Sequence, residues 1–202
     1  MSKNPAWREA HALQIQLKKD AVLSEAATLF NERGYHATSL ADVAEKLGFT
    51  KTAIYHYVKN KNELLYETYL RALEEIDQAT EEAEAAGVSG LDKLCKYVQS
   101  PAFLHPEASA LLNEIDAIDN PKRRSQLRKR LDDANARVAR WVEEGVEDGS
   151  IGECDPVLTS KFVMGPFNGL PRWIRNSGYS IEDATNYFVE LMKKTLAPSR
   201  KR

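Results

Sequence analysis

The sequence predicts an all-α chain: an N-terminal three-helix module containing a helix-turn-helix, then a longer helix leading into a C-terminal helical bundle. Three observations carry this. Few stretches alternate apolar and polar residues with period two, whereas most repeat their apolar residues at three and four. Glycines and hydroxyl-bearing caps punctuate those repeats at the spacing of helix ends. Residues 48–61, GFTKTAIYHYVKNK, join a glycine turn to a short helix too polar to be core filler.

In order along the chain, residues 16–33 place Val22, Leu23, Ala26, Ala27, Leu29 and Phe30 on one stripe, and Gly34 supplies a stop. Ser39 and Asp42 have capping-box spacing and open a helix at 40–47. Gly48 ends it, and Thr50 caps a second short helix at 51–58. From Asn62 a long helix buries Leu65, Tyr69, Leu73 and Ile76 and ends acidic, near Gly87 and Gly90. Further helices are predicted near 90–100, 106–118, 122–148 and 157–175. Ser180 with Asp183 caps the last, 181–196. Pro166 and Pro171 predict a kink or split in 157–175, because proline removes a backbone donor. The expected division is a helix-turn-helix domain at 1–64, a helical bundle at 65–197, and a frayed tail at 198–202. Whether residues 1–17 form an additional helix stays open at this point.

Composition narrows the function. A chain of 202 residues supports a buried core. Its 43% hydrophobic and 29% charged content is that of a globular protein. No apolar run nears the roughly 18–20 residues a membrane helix needs. The N-terminus lacks the apolar centre of a signal peptide. Cys95 and Cys154 form no CxxC pair, which fits a cytoplasmic protein with reduced thiols. His11, His36, His56 and His105 have no metal-ligand spacing, and no phosphate loop, nucleophile elbow or HExxH occurs. An enzyme, a metal and a cofactor are therefore not expected. The net charge of −2 hides an asymmetry. Residues 1–61 hold nine Lys and Arg against six Asp and Glu, a surplus of three, and the rest is acidic.

The basic part contains the polar short helix. A helix that enters the DNA major groove must be polar on one face and held rigidly from behind. Ile54 and Val58 supply the back, facing Val43 and Leu47. Lys51, Thr52, Tyr55, His56 and Lys59 are expected outward, with Tyr57 in the same stretch. Hydroxyls donate to phosphate oxygens and lysines displace counterions. Lys61 is placed for a neighbouring phosphate, while Thr38 and Ser39 offer a second phosphate site. The expected DNA-binding set is Thr38, Ser39, Thr50, Lys51, Thr52, Tyr55, His56, Tyr57 and Lys61.

These residues carry a resemblance. TSLADVAEKLGFTKTAIYHYVKNKNELL resembles the DNA-binding domain of the tetracycline-repressor family of bacterial regulators. Ser39, Asp42, Val43, Ala44, Gly48, Phe49, Thr50, Ile54, Tyr55, Tyr57, Lys61 and Leu64 fit its pattern. Thr52 stands for a frequent glycine and Val58 for a frequent phenylalanine. The resemblance implies a homodimer reading a palindromic operator in double-stranded DNA. It also assigns ligand binding and dimerisation to the bundle at 65–197, with dimerisation through about 157–175 and 181–196, and implies a small-molecule effector that releases the repressor. Its alternatives are an activator of the same fold, or a helical DNA-binding module with no effector. Arg172-Trp173-Ile174-Arg175 and Ser180-Ile181-Glu182-Asp183 resemble members that respond to acyl-CoA, which implies an apolar or amphipathic effector, with a CoA thioester one form.

Phe103, Leu111, Trp141, Phe162, Phe167 and Trp173 are the candidate ligand-binding residues, with plain core packing an equal reading for each. The basic run Lys122–Arg130 either meets a phosphate-bearing ligand or pairs with the acidic stretch 74–84.

Overall fold

A computed structural model of the chain describes residues 5–104, 114–174 and 177–198. The regular elements among them are helical. They are α1 (Pro5–Arg33), α2 (Leu40–Lys46), α3 (Lys51–Ile54), α4 (Lys61–Ala86), α5 (Gly90–Val98), α6 (Pro101–Leu104), a 3-10 turn (Ile115–Ala117), α7 (Pro121–Glu147), α8 (Pro156–Trp173) and α9 (Ile181–Leu196).

The N-terminal module closes around one knot of side chains. Val22, Ala26, Leu29 and Phe30 of α1 share a core with Val43 and Ala44 of α2, with Ile54 and Val58, and with Leu64 and Leu65 of α4. Gly34 and Gly48 take φ of +82° and +66°, the left-handed backbone that ends a helix without a Cβ clash. The Ser39 hydroxyl accepts from Asp42 N at 3.2 Å, and the Asp42 carboxylate accepts from Ser39 N at 2.7 Å. That capping box starts α2 at the predicted residue.

α4 runs about 39 Å at 1.5 Å per residue, and it packs on α1 at one end and on α5, α6 and α7 beyond. Its buried side carries Leu65, Tyr69, Leu73, Ile76 and Ala83. α5 and α7 approach closely at Gly90. A Cβ there would sit 2.2 Å from Gly145 N and Trp141 O. One continuous buried cluster extends from α1 to α9, so both halves share a core.

Four expectations change. α1 begins at Pro5, because its first turns use strong helix formers although residues 7–18 are all exposed and show no buried stripe. The second short helix is α-helical only over Lys51–Ile54. His56 N and Tyr57 N bond three residues back, to Ala53 O and Ile54 O. The run Tyr55-His56-Tyr57-Val58 is aromatic and β-branched and holds a regular helix poorly. Of the predicted helix 106–118, residues 105–113 lie outside the described residues, and the remainder is a 3-10 turn. Finally, of the kink or split predicted at Pro166 and Pro171, the split does not occur, and α8 runs as one helix from Pro156 to Trp173.

Candidate nucleic-acid interface and ligand cavity

α3 and the turn after it present an outward polar face. Thr50, Lys51, Thr52, Tyr55, His56 and Lys59 are exposed, Tyr55 at 59%. Ile54 and Val58 are buried behind them, as the pattern predicted. The Thr50 hydroxyl accepts from Ala53 N at 3.2 Å and caps α3. The side chains on the open face are thus free to meet a partner while their backbone is anchored.

Other residues of the expected set are engaged with the protein itself. Thr38 is corrected: it is 2% exposed. Its hydroxyl donates to Gly34 O at 3.0 Å and Leu29 O at 3.3 Å, so it ties the end of α1 to the start of α2. The Ser39 hydroxyl donates to the Asp42 carboxylate at 2.7 Å. Tyr57 is half-buried, its ring stacked on Phe49 with centroids 5.9 Å apart. Lys61 lies over the Tyr35 ring at 4.3 Å and donates to His36 O at 3.2 Å. Desolvation lowers the affinity of its amine for a proton, and the Asp42 carboxylate opposes that. Those two hydrogen bonds from Ser39 hold the Asp42 carboxyl below its ordinary range.

A cavity of about 360 Å³ lies in the C-terminal bundle. Its apolar wall includes Ile76, Tyr97, Phe103, Ile115, Val138 and Met164. A polar edge comes from Arg128, Asp132 and Asn135 on α7 and Lys161 and Asn168 on α8, all exposed. An apolar interior with a few polar groups at one side is the usual make-up of a small-molecule site, and the volume is in its ordinary range. Tyr97 sits in this wall with its hydroxyl bonded to Thr80, and burial pushes its ionisation well above the usual range.

Of the candidate ligand residues that are described, only Phe103 is among the lining residues. Trp141 is corrected: it is 1% exposed and stands behind Tyr97, ring centroids 5.2 Å apart. Phe167 is likewise behind the wall, edge-on to Phe103 at 6.2 Å. Phe162 is corrected outright: it is 61% exposed on the outer side of α8. Leu111 and the Trp173 side chain lie outside the described residues. Large apolar side chains do not mark this cavity in the sequence. The lining on α7 instead follows position, with Arg128, Leu131, Asn135 and Val138 three or four apart.

The basic run on α7 is tied to acids rather than left open. Arg130 bonds Asp77 at 2.5 Å, Arg123 bonds Glu63 at 2.6 Å, Lys129 bonds Asp133 at 2.9 Å, and Arg128 bonds Asp116. The Arg130 pair reaches the acidic stretch of α4, as one of the two readings expected.

No helix among the described residues is long and apolar enough to cross a membrane. Comparison with known proteins agrees with this geometry. Residues 22–68 match the family of bacterial regulatory proteins called tetR. Residues 89–196 match the tetracyclin repressor-like C-terminal domain. YfiR of Bacillus subtilis, an HTH-type transcriptional regulator, is 30% identical over 175 residues, covering 82% of this chain and 83% of that one. The transcriptional repressor KstR2 of Mycolicibacterium smegmatis is 28% identical over 175 residues, 80% and 81% of the two chains. A crystal structure of AibR with isovaleryl coenzyme A and operator DNA shares the fold, at TM-score 0.70 and 19% identity over 86% of this chain and 97% of AibR. With both halves matched and the outward α3 face in place, the chain belongs to the tetR family of DNA-binding transcriptional regulators and is not an enzyme.

Proposed function

We propose that this regulator is a repressor that binds a palindromic operator as a homodimer and is released by an amphipathic small molecule entering the bundle cavity. The observation that carries it is the rigid link between two sites. Ile54 and Val58 behind the outward face, and Ile76, Tyr97 and Phe103 of the cavity wall, belong to one continuous buried cluster, and α4 packs on α1 and on α5, α6 and α7. Displacing α4 would move the two recognition segments of a dimer. Successive major grooves lie about 34–36 Å apart, so a few ångströms of movement would break several contacts at once. Ligand and operator affinity are then reciprocally linked.

The dimer reading is supported by the outer side of α8 and α9. Leu158, Phe162, Tyr187 and Leu191 are 45–70% exposed there, an apolar patch that water contacts in the single chain. The effector reading is supported by the cavity's apolar wall and polar edge. AibR has been seen with a CoA thioester, and that chemistry is the form of amphipath we would try first. The name of KstR2 supports repression over activation.

The test is selection from a random duplex pool with the purified chain, in parallel with Tyr55→Ala. The expected result is an enriched palindrome that the variant does not enrich. Enrichment of the same sequence by both, or of no sequence, overturns the reading. An enriched duplex that no acyl-CoA or fatty acid displaces leaves a DNA-binding module and removes the effector class.

A further inference from the structure

One amide side chain grips the segment between the cavity and the DNA-binding module at two points. Asn62 sits in the first turn of α4, beside Lys61. Its Nδ2 donates to Ala117 O at 2.6 Å, and its Oδ1 accepts from Asp119 N at 3.2 Å. It therefore grips both the acceptor and the donor of the turn that follows the cavity wall. The same Nδ2 reaches the Tyr35 hydroxyl at 3.5 Å, the outer limit of a hydrogen bond.

Each end of this contact leads to a different site. On one side, Ile115 lines the cavity, and Asp116 holds Arg128, which also lines it. Glu114 N donates to the Tyr69 hydroxyl at 3.1 Å, a third bond between this turn and α4. On the other side, Lys61 lies over the Tyr35 ring, and Thr38 N bonds Tyr35 O at 3.2 Å, immediately before the cap of α2. The turn fills no role in the open α3 face, and it packs on the core through Ile115 and Ile118. Both of Asn62's stronger bonds nevertheless go to it, across 55 and 57 residues of sequence.

We propose that Asn62 is the positioning residue through which the 114–119 turn and the DNA-binding module sense each other. A ligand that pushes Ile115 or draws Arg128 from Asp116 shifts the turn. The shift reaches the start of α4 through two hydrogen bonds whose partners lie on opposite edges of one amide, so the turn cannot slide without rotating Asn62 or breaking one. Asn62 does not touch the open face at 50–56 and acts only through Tyr35, Lys61 and α4. The inference rests on the repressor reading, because it needs a bound duplex.

Linkage makes the coupling measurable without knowing the effector, since whatever the turn does to the DNA module the duplex must do to the turn. Hydrogen exchange of the full chain would be followed with and without the duplex enriched from the random pool. The amides of Glu114 and Ile118 are the reporters, since neither bonds Asn62 directly. Duplex binding should slow their exchange about fivefold or more in the natural chain, the lower end of ordinary allosteric coupling. In Asn62→Ala the response should fall below about twofold while exchange across 38–61 still slows. Asn62→Asp keeps the acceptor for Asp119 N but sets a carboxylate oxygen against Ala117 O. It should lose the response in the same way. Circular dichroism of both variants checks that the helices are intact. A response that persists in both variants overturns the proposal, as does a natural chain that binds the duplex without any response at 114–119. Folded variants that no longer bind the duplex also overturn it, since Asn62 would then be scaffold for the DNA surface. A pool that yields no enriched duplex overturns the repressor reading itself, and this proposal falls with it.

Discussion

Thr38 and Tyr55 each carry a hydroxyl, in opposite surroundings. The Thr38 hydroxyl is buried and donates to two backbone carbonyls. Thr38→Val should therefore lower stability by about 1 kcal/mol, read as a shift in the denaturant midpoint, and leave duplex affinity of the folded protein unchanged. Tyr55 is open to solvent, at 59% exposure, and is not part of the buried cluster. Tyr55→Ala should leave the midpoint in place and weaken duplex binding by about tenfold or more, in line with the 1–3 kcal/mol that a good contact contributes. If both variants lose stability and DNA binding together, the division of labour between the two hydroxyls is wrong. Asp42 gives a pH signature at the same scale. Hydrogen bonds from Ser39 lower its folded pKa. The cap's contribution to stability is thus fully present above the ordinary carboxylate range and is lost as pH falls from there through the lowered folded value. Thermal unfolding of Asp42→Asn should show a shallower decline than the natural chain as pH falls below about 5.

The close crossing of α5 and α7 sets the packing of elements around the cavity. Gly90 N donates to the Asp148 carboxylate at 2.8 Å, and its Cα faces the α7 backbone at Gly145 and Trp141. A methyl group at Gly90 would meet backbone on two sides, with no flexible side chain to give way. Gly90→Ala should cost about 3 kcal/mol, the upper part of the overpacking range, measured by chemical denaturation. A change near zero would mean that α5 swings away freely, and that the cavity is softer than its walls suggest. The cavity is the part of the elements that local sequence did not reveal. Arg128, Asn135, Lys161 and Asn168 are ordinary exposed polar residues in the sequence. They become a site edge only because α7 and α8 lie side by side.

For the whole molecule, the apolar outer side of α8 and α9 decides the assembly we propose. Phe162→Arg places a charge in that patch, at a side chain that is 61% exposed. The natural chain should sediment at twice its 22.7 kDa, and the variant at 22.7 kDa. Operator affinity should fall by about tenfold or more, because one module then binds without its tethered twin. A dimeric Phe162→Arg variant would move the interface elsewhere.

The all-α class, most helix boundaries, the capping box at Ser39 and the back of the recognition segment were legible in the sequence. All of them depend on residues within about four positions of one another: apolar spacing, a cap, a glycine with positive φ. What only the tertiary structure decided is where each helix face points once the helices meet. Thr38 and Ser39 are neighbours with equal claims to a phosphate, yet the fold turns one inward. Lys61 looked free until Tyr35, from a different helix end, came beneath it. Phe162 looked like a cavity wall and lies outside, while Lys161 beside it lines the cavity. Adjacent residues on a helix point about 100° apart, so composition names the candidates and only packing between distant segments chooses among them.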